Sequence, residues 1–226
     1  MVTHQEPQQS HGITMKLFIA GANGQIGRHL IKVVSQLPHQ SRALVRNPDQ
    51  IDELRDLGAD EVVVGDLEQD CTEHLNGCDA VIFTAGSGPH TGPDKTIDVD
   101  RDGAIRLIDA AKAAGVKRFI MVSSMRARFP EKAPEKIHHY LEAKRLADEH
   151  LEASGLTYTI VCPGPLTNDA AHGHIQVGNP LEATGSIARE EVALIIAAAL
   201  EEPNTENKLF DVLSGDTDIQ TALASL

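Results

Sequence analysis

The chain has 226 residues, 41% of them hydrophobic and 23% charged, which is enough for one well-formed core and short for two. Its 33 acidic and 20 basic residues leave a net charge of −13 with no Lys/Arg cluster, which argues against a nucleic-acid backbone or an anionic membrane surface as partner. The longest apolar run, 192–200, has nine residues, against roughly 18 to 20 for a bilayer-spanning helix.

A cytoplasmic, soluble protein is therefore expected, monomeric or homodimeric. There is no Trp, with two Tyr and five Phe, so the core is expected to be aliphatic. Cys71, Cys78 and Cys162 show no CxxC spacing and fit a reducing setting better than a disulfide framework or a zinc site. Residues 1–14 are polar, rich in Gln and His, and lack the apolar stretch of a signal peptide. They read as a disordered leader or an expression remnant, leaving 15–226 as one domain.

From Met15 onward, β-branched runs alternate with helical patterns. Strands are predicted at 16–20, 42–45, 61–64, 80–84, 118–123, 158–162 and 208–212, and helices at 25–37, 48–57, 96–114, 135–154 and 189–201. Gly58, Gly115 and Gly155 stand where helices should stop. Parallel strands need long crossovers, so this alternation predicts a doubly wound α/β sheet, the Rossmann architecture. The segment 163–188 lacks periodicity and is long for a connection, which suggests a lid or binding loop, with a small extra strand at 174–177.

The first strand runs straight into Gly21-Ala-Asn23-Gly24-Gln25-Ile26-Gly27 and then a helix. In that context Gly21 permits the tight turn, Gly24 lets the backbone approach a pyrophosphate, and Gly27 lets the helix pack closely. The ribose-reading position at the end of the second strand offers Arg46 and no carboxylate before Asp49. A guanidinium suits a 2′-phosphate, so NADP is expected over NAD. Residues 15–47 hold Lys16, Arg28, Lys32, Arg42 and Arg46 and no acid, a net of +5, whereas 48–79 hold eleven acids and Arg55, a net of −10. An electropositive island is thus expected at the dinucleotide end. Ligands in open parallel sheets bind at the carboxyl ends of strands. That places Asp66 and Leu67 after the third strand, and Thr84, Ala85 and Gly86 after the fourth, beside the cofactor.

Strand five ends in Ser123-Ser124, and the following helix carries Tyr140 and Lys144. Residues four apart share a helix face, and here Tyr140, Ala143, Lys144, Ala147 and Leu151 form the apolar one. A lysine in a buried stripe needs a partner. A dinucleotide ribose and the phenol of Tyr140 would supply it. A cation beside a phenol favours the phenolate, which suits proton transfer near neutrality, and a serine hydroxyl opposite would hold a substrate carbonyl. His172 and His174 share one side of a strand but have no third ligand nearby, so no metal site is expected.

Together, Gly21-Ala-Asn-Gly-Gln-Ile-Gly27, Val122-Ser-Ser124, Tyr140xxxLys144 and Val161-Cys-Pro-Gly164 resemble the short-chain dehydrogenase/reductase superfamily. The GxxGxxG spacing resembles its extended and atypical members, the small NAD(P)-binding epimerase/dehydratase-like and NmrA-like proteins, over nearly all of 15–212. The resemblance implies Tyr140 as acid/base, Lys144 as ribose ligand, Ser124 (with Ser123 as second choice) as carbonyl-positioning hydroxyl, and Pro163-Gly164 near the nicotinamide amide. Only 63 residues follow Pro163, so a large C-terminal substrate domain is not expected. The expected activity is NADP-dependent oxidoreduction of a small carbonyl or alcohol. A redox-sensing NADP(H)-binding protein without turnover and a nucleotide-sugar epimerase or dehydratase are the alternatives.

Overall fold

A strand buried on both faces shows no polar alternation, and Lys16–Ala20 is such a strand: Leu17 and Ile19 face one side, Phe18 and Ala20 the other, all without solvent exposure. In the computed structural model, which describes residues 14–86 and 96–226, it lies inside a nine-stranded sheet. The expected leader, Thr14 apart, lies outside the described residues.

The strands are β1 (Lys16–Ala20), β2 (Gln40–Val45), β3 (Glu61–Val64), β4 (Ala80–Phe83), β5 (Arg118–Val122), β6 (Thr157–Pro163), β7 (Leu166–Thr167), β8 (His174–Gly178), β9 (Ile187–Ala188), β10 (Lys208–Ser214) and β11 (Thr217–Asp218). The helices are α1 (Gln25–Val34), α2 (Ile51–Asp56), α3 (Ala104–Ala113), α4 (His138–Ala153), α5 (Arg189–Glu201) and α6 (Ile219–Ala224). The sheet order is β3-β2-β1-β4-β5-β6-β10-β8-β11. Every pairing from β3 to β10 is parallel, while β8 is antiparallel to both β10 and β11. The strand order reverses between β1 and β4, and a ligand crevice opens at such a switch point.

Two apolar layers close the sheet. One carries Leu30 and Ile31 of α1, Leu54 of α2, Val192, Ile195 and Ile196 of α5 and Leu223 of α6. The other carries Leu107 and Ile108 of α3 and Ala147 and Leu151 of α4. The core is aliphatic, with one addition to the expectation: Phe18, Phe83, Phe119 and Phe210 are also fully buried. Each contributes about 1.5–3 kcal/mol relative to exposure.

The departures from the expected elements have local causes. Helix α1 stops at Val34, three residues early, because Leu37 precedes Pro38 and the chain leaves through i−3 bonds from Gln36 and Leu37. The expected helix 48–57 starts as a tight turn capped by Asn47, with Pro48 at its first position, before α2 begins. The expected helix 96–114 opens as a wide π-helical segment, Thr96–Gly103, and becomes α-helical only in α3. Segment 163–188 is more structural than a lid. It contains β8 near the expected place, and β7 and β9 pair with each other in parallel. The buried carboxylate of Glu191 pins its middle by accepting from the His172 and Gly173 amides, both at 2.9 Å.

Far from the crevice, Arg118 ties the layers together. Its buried guanidinium donates to the carbonyls of Thr157 and Ala199 and to the hydroxyls of Thr159 and Thr205. Burial pushes its pKa down to about 10, so it remains a cation at neutral pH.

Candidate functional site

The carboxyl ends of β1, β4, β5 and β6 converge on the crevice. Gly21 has φ +82°, a left-handed value, and a Cβ there would stand 2.5 Å from the Ala85 nitrogen. At Gly27 a Cβ would stand 2.2 Å from the Gly21 carbonyl oxygen, so α1 packs on the turn at a distance only hydrogen allows. Gly24 and Gln25 are exposed, Ile26 is buried, and Asn23 accepts from Arg28 at 2.9 Å. Helix α1 has no side-chain cap, so its first-turn amides face the crevice mouth. A Cβ at Gly21 or Gly27 would force the turn away from Ala85 or from α1, and the cradle that their absence of a side chain allows fits a dinucleotide pyrophosphate.

Neighbouring groups hold the turn in place. The Thr84 hydroxyl reaches the carbonyls of Ala20 and Gly21 at 3.0 and 3.2 Å, and Ala85 packs over Gly21. Asp66 spends one oxygen on the Glu68 amide, a local turn. Leu67 is buried in the core, and its carbonyl accepts from Arg106. Pro163 accepts from the Met125 amide at 2.9 Å, and Gly164 donates to Val212 while its Cα lies close to Leu213.

The electropositive island does not form as the charge count suggested. Lys16 and Arg42 both grip Glu61 at 2.6 Å, holding its carboxyl below the usual range, and Arg28 pairs with Glu53 at 2.8 Å. The acids come from 48–79, because β3 lies beside β2 and α2 lies near α1. Arg46 is exposed at the end of β2 and makes no ion pair among the described residues.

The helix stripe is buried as its spacing predicts: Ala143, Lys144, Ala147 and Leu151 are all inaccessible, and Tyr140 is half-buried. The lysine's partner differs from expectation. Lys144 Nζ lies 3.1 Å from Asp100 Oδ1, a carboxylate of the π-helical segment with no solvent exposure, and 3.3 Å from the Val122 carbonyl. A ribose is not needed to satisfy it. Burial works against the ammonium, but Asp100, then Tyr140 and Asp148, outweigh it and hold the pKa above the ordinary lysine value. The Tyr140 ring centre is 5.9 Å from the ammonium, one turn earlier on the same helix face.

The two serines divide their work. Ser123 is buried, and its hydroxyl donates to Asp148 Oδ2 at 2.6 Å. Ser124 is half-buried and lines a narrow neck with Cys162 and Asp211. Asp148, one turn after Lys144, is 1% exposed, and burial raises its carboxyl to about 7. Lys144, Asp100 and Asp148 thus form a cluster of one ammonium and two carboxyl groups in which Asp148 changes protonation around neutrality. Burial lifts the Cys162 thiol well above its usual range, which keeps it unreactive.

Asp100 and Asp148 are the site residues the sequence reading missed. Asp148 had a signal, a carboxylate on the apolar stripe at 140, 144 and 148. Asp100 had none, since Asp98-Val-Asp-Arg-Asp102 reads as a solvated acidic face until the π-helical turn rotates one carboxylate inward. No cluster of metal ligands occurs among the described residues. No helix there is long and apolar enough to cross a membrane.

Beyond Ser124 the neck shares Arg126, Phe129, Pro180 and Asp211 with a cleft of about 410 Å³, walled by 125–132 and 180–184.

Comparison with known proteins agrees with this geometry. A protein family described as NAD(P)H-binding matches residues 21–203. The chain is 48% identical over 216 residues to the uncharacterised sugar epimerase YhfK of Bacillus subtilis, covering 94% of this chain and all of that one. A solved structure from Bacillus halodurans, named as an NAD-dependent epimerase/dehydratase, superposes with a TM-score of 0.91 at 46% identity, covering 94% of this chain and all of that one. The oxidoreductase YlbE of Lactococcus lactis gives 0.85 at 32% identity, covering 94% and 96%.

Proposed function

The chain belongs to the NAD(P)H-binding family of Rossmann proteins, and from that premise we propose that it is an NADP-dependent oxidoreductase acting on a small carbonyl or alcohol, with Tyr140 as its acid/base. The observation that carries this reading is the meeting of Tyr140 with the buried Lys144 at the carboxyl edge of β5, where Ser124 keeps a hydroxyl at the neck of the cleft.

Gly21, Gly24 and Gly27, with the first-turn amides of α1, would hold the pyrophosphate, and Arg46 the 2′-phosphate. Thr84, Ala85, Gly86, Pro163 and Gly164 would flank the dinucleotide along the strand ends, and Asp66 and Leu67 would flank its adenine. The nicotinamide, when bound, supplies hydride chemistry. The Ser124 hydroxyl orients the substrate carbonyl oxygen, and Tyr140 gives the proton to that oxygen during reduction or takes it during oxidation. Lys144, fixed by Asp100, keeps a positive charge beside the phenol.

The names of two relatives favour epimerisation as a second reading. An epimerase returns the hydride it removes, so it leaves NADPH unchanged over a full turnover. A panel of carbonyls, quinones, flavins and nucleotide sugars, followed by NADPH absorbance and by product NMR, separates the two. Tyr140→Phe is expected to lower kcat by about 10²–10⁴-fold without changing NADPH affinity. Tight NADPH binding without turnover of any compound would replace both readings with a sensor.

A further inference from the structure

We propose that the cleft beside Ser124 recognises a carbonyl compound bearing a carboxylate, with Arg126 as its anchor and Lys132 as a second cation. The inference rests on the oxidoreductase reading and adds the substrate class.

The cleft's position makes it the substrate's place. Its neck reaches Ser124, and its volume of about 410 Å³ suits a small organic molecule. Met125, Phe129, Pro180 and Leu181 supply apolar walls, and Phe129 is left exposed with the Lys132 ammonium 4.6 Å above its ring.

Charge sets the class. Arg126 and Lys132 make no ion pair among the described residues, although the protein as a whole carries −13. Their neighbour Arg128, by contrast, is paired with Glu152. Arg126 donates from Nη1 to the Lys132 carbonyl at 3.1 Å. Its Nε and Nη2 have no partner among the described residues, and this edge is the fork that receives a carboxylate with two parallel bonds. The cleft also contains two acids. Asp211 is buried and spends Oδ2 on the Leu181 amide at 3.0 Å; burial raises its pKa, and the nearby Arg126 charge, which makes no ion pair with it, works in the opposite direction. Glu182 lies exposed at the rim.

The backbone adds independent support. Arg126 has φ +69°, a left-handed value uncommon for a residue other than glycine, and it lines the cleft two residues after Ser124.

The test compares 4-oxopentanoate and 2-oxo-4-phenylbutanoate, each against its own methyl ester, as NADPH-dependent substrates. NADPH affinity is followed by fluorescence of the bound dihydronicotinamide. The wild type is expected to favour at least one acid over its ester by about tenfold in kcat/KM, chiefly through KM. Arg126→Gln is expected to bring that ratio towards one with NADPH affinity intact, and Lys132→Gln to do so less. Esters that match or exceed both acids, or an Arg126→Gln variant that keeps the ratio, would overturn the proposal. If neither probe is reduced, the oxidoreductase reading is decided by the wider panel, and saturation-transfer NMR on NADP-loaded protein decides the cleft. Binding of acid but not ester, lost in Arg126→Gln, upholds the anionic site; any other pattern ends it.

Discussion

Replacing Asp148 with Asn removes one buried proton and changes little else, because the amide oxygen still accepts from Ser123. In the folded chain burial lifts this carboxyl to about 7, whereas an unfolded Asp titrates near 3.9. Between those values the native state holds a proton that the unfolded state has released. Its contribution to stability is therefore complete below about pH 4 and is lost as pH rises through about 7, at about 1.4 kcal/mol per unit. Summed over the window, the loss is about 4 kcal/mol, a large fraction of a typical domain's margin. Asn has no proton to lose. The stability of Asp148→Asn relative to wild type should thus climb by roughly 3 kcal/mol between pH 5 and 8, with most of the rise below pH 7. Urea unfolding followed by far-ultraviolet circular dichroism measures it, which suits a chain without Trp. Other titrating groups cancel in the difference. A gap that stays constant from pH 5 to 8 would refute the claim that Asp148 is protonated in the folded cluster.

Three further outcomes follow from the geometry. Gly27→Ala should cost about 1–3 kcal/mol and abolish cofactor binding, since its Cβ would stand 2.2 Å from the Gly21 carbonyl oxygen; thermal unfolding and NADPH titration check both. If NADP is preferred as proposed, Arg46→Ala should narrow that preference over NAD by about tenfold, and equal ratios of dissociation constants before and after would remove Arg46 from that role. Arg118→Lys should destabilise the protein by about 3 kcal/mol, because one ammonium cannot reach acceptors on β6, α5 and the 203–205 turn; denaturant unfolding at neutral pH measures it.

The sheet was legible because its signals are local. The apolar run 16–20 leads directly into the glycine turn, and 61–64 follows the helix stop at Gly58. Lys144 stood out for a physical reason, a charge on an apolar stripe, and burial followed. What the sequence could not show was pairing across space. Glu61 is 45 residues from Lys16 yet pairs with it and with Arg42, two of the five cations read as an island, and Asp100 satisfies Lys144 from a turn whose π-helical geometry leaves no periodic trace. The short β7, β9 and β11 also escaped notice, since two residues are too few to establish an alternation.

The chain reaches the crevice in two separate stretches. The glycine turn and β1 to β4 lie in the first half, while the cleft walls, 125–132 and 180–184, come later and follow β5 and β8, which pair within the sheet. These walls can change in length and side chain without disturbing the backbone that meets the dinucleotide. Such a division would let one coenzyme-binding frame carry different substrate walls. A chimera carrying another member's 179–185 segment should retain its NADPH affinity and exchange only its choice of substrate.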